Sequence, residues 1–102
     1  MSSFRERLRQ RSDELRSTDP ELSSALRSVD GLVWYGEEKE GWPWPDRQVR
    51  AVAASRAQRH DDVADLYANA GDAACEAPER RAAAELRALL AEHAKTDESG
   101  DG

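Results

Sequence analysis

Phe4, Leu8 and Leu15 fall at i, i+4 and i+11, one stripe of a helix over Ser3–Arg16. Ser2 or Ser3 precedes it, and Glu6 follows Ser3 at capping-box spacing. Its other face is charged, with Arg5, Arg7, Arg9, Asp13, Glu14 and Arg16. A second start lies at Thr18-Asp19-Pro20-Glu21, where a polar cap precedes a proline at the first helical position. Leu22, Ala25, Leu26 and Val29 then repeat at i, i+3, i+4 and i+7, and Gly31 stands where a left-handed terminal residue would end a short helix. A helix of about ten residues does not persist alone in water, so it must pack on a neighbour.

The pattern changes from Leu32 to Pro45. Leu32-Val33-Trp34-Tyr35 has strand propensity, and Gly36 to Gly41 reads as a polar loop tip. Pro43 and Pro45 lack backbone donors and keep Trp42–Pro45 out of a central strand. The reading is an ordered aromatic, proline-rich loop with a possible short hairpin. Helical spacing returns after Asp46, the expected cap of a third helix. Val49, Val52, Ala53, Ala57, Val63, Ala64, Leu66, Tyr67 and Ala70 share one broad face. This segment is either one helix to Asn69 or two pieces divided near His60, where Asp61 and Asp62 are good caps. A fourth helix is expected from near Pro78, with Ala82, Leu86, Leu89, Leu90 and His93 as its stripe, and Ala73–Glu76 is read as a candidate short turn of helix before it.

These elements predict an all-α fold, a small four-helix domain over residues 1–94, followed by a disordered acidic tail over 95–102. Composition makes the core poor. Of the 102 residues 38% are hydrophobic, but 17 are alanine, and isoleucine is absent. No apolar run reaches the roughly 18 residues that span a bilayer. The N-terminus has arginines but no apolar stretch of a secretory signal. One cysteine excludes an internal disulfide framework, and a cytoplasmic location is the expectation. Cys75 is expected to be a small, buried or half-buried side chain, since no cation lies near it in sequence to lower its pKa.

Candidate chemistry is sparse. His60 and His93 are the two histidines, too few for a histidine-based metal site, and His60-Asp61-Asp62 lacks the further ligands metal hydrolysis needs. No nucleophile elbow, phosphate-cradling glycine loop or Walker pattern occurs. The expectation is a non-catalytic chain without cofactor, metal or identified small-molecule substrate. Charge is segregated: Arg47 to His60 holds four arginines and no acid, and Asp61 to Glu79 holds six acids and no lysine or arginine. Those arginines do not share one helical face, and the net charge is −6, so nucleic acid is an unfavoured partner. Arg56 falls in the apolar stripe beside Val52 and Val63. It either snorkels past alanines, marks an interface or anion pocket, or reports a helix break before His60.

Four of six aromatic residues, Trp34, Tyr35, Trp42 and Trp44, lie in the Leu32–Pro45 segment. They supply either a lid on the core or a contact surface, because tryptophan and tyrosine are enriched at binding hot spots. Trp34 is read as the core-facing ring, sharing a face with Leu32, and Trp42 and Trp44 as the outward ones. A core short of large side chains gains from a partner's burial. The functional expectation is therefore a small acidic helical module, a regulator, inhibitor or assembly factor, that binds another protein or itself through Trp42, Trp44, Tyr35, Trp34 and Arg56. The alternative is a helix-turn-helix-like DNA binder using Arg47, Arg50, Arg59 and the basic first helix.

Overall fold

The computed structural model describes the backbone of residues 3–100 and the side chains of residues 3–94. Four helices, α1 (Phe4–Leu15), α2 (Pro20–Glu40), α3 (Asp46–Asn69) and α4 (Ala73–Gly100), make an all-α domain with no strand among the described residues. Ser3 caps α1 by accepting from the Glu6 N–H. Asp19 caps α2 through the Leu22 N–H, with Pro20 in the first turn. Asp72 does the same for α4 through the Cys75 N–H.

Helices α1 and α2 form one hairpin, and α3 and α4 a second, more extensive one. The cross-links give their directions. Arg5 reaches Asp30 and Glu37, and Ser12 meets Ser23, so α1 and α2 are antiparallel. His60 meets Glu79 and His93 meets Asp46, so α3 and α4 are antiparallel too. The shared core draws on all four helices: Phe4, Leu8 and Leu15; Leu26, Val29 and Val33; Val49, Ala53 and Ala57; Leu86 and Leu89. α3 also buries Ala64, and α4 buries Ala82 and Ala83. These small side chains let the second hairpin pack closely while burying little area. In the first hairpin Ser12 and Ser23 are buried and satisfy each other: each hydroxyl donates to the other's carbonyl, at 3.0 and 2.7 Å.

Four expectations about the elements are corrected. α2 does not end at Gly31. It continues for two and a half further turns, and Leu32–Tyr35 is helical rather than a strand or hairpin. The physical reason is Val33, which is fully buried and extends the stripe of Leu26 and Val29. A glycine inside a helix costs about 1 kcal/mol against alanine, less than the roughly 1.5–3 kcal/mol gained by burying a valine-sized side chain. The terminating glycine is Gly41, at φ +84°, whose N–H bonds to the Glu37 carbonyl at 2.8 Å. The loop thus shrinks to residues 41–45.

α3 runs unbroken through His60, because His60 and Asp61 are both engaged by α4 as helical residues. Asp46 is the first residue of α3 and not its cap. Its carboxylate is used elsewhere, accepting from the Phe4 N–H at 2.9 Å and pairing with His93 at 3.0 Å. α4 starts at Ala73, with Pro78 inside its early turns. It is assigned through Gly100, into the segment expected to be a disordered tail, 95–102; side chains from residue 95 onward lie outside the described residues.

Candidate functional site

Helical continuation of α2 redistributes the aromatic residues. Val33 faces the core, so its neighbours on either side face out. Trp34 is 58% exposed and Tyr35 63% exposed. The expectation that Trp34 is a core ring is overturned: sharing a face with Leu32 presupposed an extended chain, and Leu32 is itself exposed. Trp42 is also exposed, in the loop. Trp44 is the ring that turns inward and packs on the core cluster.

Trp44 is held by three contacts. Its indole N–H donates to Glu40 at 2.6 Å, and its backbone N–H donates to Glu37 at 2.7 Å. Its ring lies against the backbone of α2 at Gly36, where an added Cβ would run into the ring carbons Cη2 and Cζ2. Gly36 is thus a seat for the indole and not a loop residue. Glu37 is a double acceptor: one oxygen takes the Trp44 N–H and the other takes Arg5 at 2.7 Å. The Trp44 N–H and, after it, the Arg5 guanidinium hold the Glu37 carboxyl below the ordinary carboxylate range. Burial alone would push Asp30 up. Hydrogen bonds from Arg5 and Arg9 outweigh it and hold that carboxyl low.

The structure sorts the five nominated residues into two sets. Tyr35, Trp44 and Arg56 line one groove of about 520 Å³ between α2 and α3, with Leu32 and Lys39 from α2 and Val52 from α3. Its wall is mostly apolar. Trp34 and Trp42 lie apart from it, beside a smaller hollow of about 340 Å³ that also holds Glu37, Glu38, Gly41 and Pro43. Arg56 is half-buried on an unbroken α3, and its Nε is enclosed without a hydrogen-bond partner among the described residues. Sequence reading did not single out Gly36, Glu37, Leu32 or Lys39. The signal for them was present. Leu22, Leu26, Val29 and Val33 repeat at intervals of four, three and four, a continuing helical stripe that carries α2 past Gly31.

Other candidates resolve into pairing between helices or along one helix. The His60 Nδ1 lies 2.6 Å from Glu79, Asp61 pairs with Arg87 and Arg80, and Asp62 accepts from Gln58. No group of three or more metal-ligating side chains occurs among the described residues. Cys75 is exposed, and not buried as expected, because it stands on the open first turn of α4. Asp72, hydrogen-bonded beside it, pushes the thiol's pKa up. The arginines of α1 are engaged by acids: Arg5 and Arg9 by Asp30, Arg7 by Glu92 and Glu14, and Arg11 by Glu85. Among the described residues no helix is long and apolar enough to cross a membrane. Compared with models of protein families, with curated proteins and with solved structures, the chain matches none.

Proposed function

We propose that the chain is a non-catalytic protein-interaction module and that its binding face is the C-terminal half of α2 with the 41–45 loop. One observation carries the reading. Among the described residues five large hydrophobics stand exposed, and four of them, Leu32, Trp34, Tyr35 and Trp42, belong to the C-terminal half of α2 and the loop after it. Single exposed apolar residues are ordinary, but several near one another with an apolar groove at hand are the usual mark of an interaction surface. Tyrosine and tryptophan supply large contact area at small entropic cost. The contribution of Tyr35, Trp44 and Arg56 is to line the groove, and that of Trp34 and Trp42 is to offer further aromatic surface at the separate, smaller hollow. In this reading the module works as a regulator, inhibitor or assembly factor, without cofactor.

The test is affinity capture with wild type and the Tyr35→Ala and Trp34→Ala variants side by side, together with thermal melts. The expected outcome is a loss of about 2 kcal/mol in binding for at least one ring, with folding stability changed by no more than roughly 0.5 kcal/mol. Capture that survives both substitutions would remove this face from the reading. The DNA-binding alternative predicts a steep fall of affinity with salt. It has less cation to draw on, since the arginines of α1 and Arg50 already meet carboxylates.

A further inference from the structure

We infer that the occupant of the α2–α3 groove is an acidic amphipathic segment of another protein, about two helical turns of apolar side chains with carboxylates at both ends. The inference rests on the interaction-module reading and names the chemistry of its partner.

Charge is the first ground. The charged residues that line the groove are Lys39 and Arg56, two cations and no acid; the nearby Glu40 carboxylate is taken up by the Trp44 indole N–H. This lining is unusual in a chain whose acids outnumber its lysines and arginines 21 to 15. The other half-buried arginines, Arg5, Arg7, Arg11, Arg50 and Arg80, are each met by a carboxylate, whereas the arginines with no ion pair among the described residues, Arg56 aside, are exposed. Neither Lys39 nor Arg56 has an ion pair among the described residues, and the Arg56 Nε is enclosed with no acceptor. A half-buried guanidinium without an anion is costly. An incoming carboxylate would meet the terminal guanidinium nitrogens of Arg56 and supply the counter-charge that the groove lacks. The negative charge of the whole chain acts over longer range and is screened beyond about 8 Å at physiological salt.

Shape is the second ground. The α2 wall runs from Leu32 to Lys39 and the antiparallel α3 wall from Gln48 to Arg56. At 1.5 Å per residue each wall is roughly 10–12 Å long, two turns of a helix. Lys39 stands at the Trp44 end and Arg56 at the other. An amphipathic helix with apolar anchors at i, i+3 or i+4, and i+7 fits that length. A second copy of this chain fits less well, because two-fold pairing of this face sets cations opposite cations.

The experiment is selection from a displayed library of random peptides of about 14 residues, four turns if helical, on the immobilised full-length chain. Enriched peptides are then titrated against wild type, Lys39→Glu, Arg56→Gln and Tyr35→Ala, each first checked for helix content. The expected result is a set of peptides with apolar residues at helical spacing flanked by Asp or Glu. Lys39→Glu and Arg56→Gln should weaken them by about tenfold, and Tyr35→Ala should weaken them as well. Peptides that need Tyr35 but carry no acids, or that bind Lys39→Glu as well as wild type, would overturn the acidic partner and leave the interaction module standing. Absence of enrichment, or binding indifferent to Tyr35, would count against both. Sedimentation of the wild type as a dimer that Tyr35→Ala dissociates would make a second copy the occupant and overturn the inference.

Discussion

Gly31 and Gly36 both lie inside α2, and the surroundings of an added methyl differ sharply between them. At Gly31 the methyl meets nothing within 4 Å, and the backbone is ordinary helix. Gly31→Ala should therefore raise stability by about 0.5–1 kcal/mol, through helix propensity and a less flexible unfolded chain; denaturant melts check it. At Gly36 the methyl collides with the Trp44 ring. The gain in propensity of about 1 kcal/mol opposes an overpacking cost of roughly 1–3 kcal/mol. Net stability should fall modestly, and the ring should leave its seat. The indole N–H resonance of Trp44 should move while that of Trp34 stays. Packing separates other residues in the same way. Leu26→Ala, at a fully buried site, should cost about 2–5 kcal/mol. The buried stripe was legible residue by residue. Which ring turns inward was not, because that depends on a glycine on another turn lying beneath the indole.

At the scale of the element, helix starts were easier to read than helix ends. Asp19-Pro20 announces α2 through side-chain chemistry local to the cap. Its end is decided by whether Val33 finds a core, which is a tertiary fact. The strand propensity of Leu-Val-Trp-Tyr yields to that burial, as context commonly overrides it. The approach of the 41–45 loop to α2 rests on a carboxylate, and this makes it sensitive to acid. Glu37 and Asp30 are both held below their ordinary values of 4.5 and 3.8. A carboxyl depressed in the folded state contributes stability above its unfolded pKa and loses it as pH falls through the folded one. Stability should accordingly decline as pH drops below the ordinary carboxylate range. Glu37→Gln should decline less steeply over the same interval, as chemical melts at stepped pH would show.

Across the whole molecule, one core joins both hairpins, since every helix contributes to it. Unfolding should be a single cooperative transition. The three tryptophans all stand near one end of the bundle, in α2 and the loop after it, whereas circular dichroism sums over every helix. Coincident thermal transitions by the two probes are the expected outcome. A fluorescence transition that precedes the loss of helix would mean that the α2–α3 end opens on its own. The ion pairs that link the helices, such as Arg81 to Asp19 and Arg7 to Glu92, are exposed, and each contributes about 0–1 kcal/mol. They set register more than they set stability. The class of fold was readable because four apolar stripes of helical period leave few alternatives. The groove was not, because it belongs to the seam between α2 and α3.

The grip of Glu37 on both Arg5 and Trp44 carries a warning for anyone mapping the binding face by mutagenesis. Arg5 belongs to α1 and is not among the residues that line the groove. Replacing it by alanine would free one oxygen of Glu37 and remove one of the two contacts that fix this carboxylate beside the Trp44 backbone N–H. A scan that equates lost affinity with touch would then score Arg5 as part of the epitope. The footprint drawn from such data would be one helix too wide, and a ligand designed to reach Arg5 would be reaching for the scaffold.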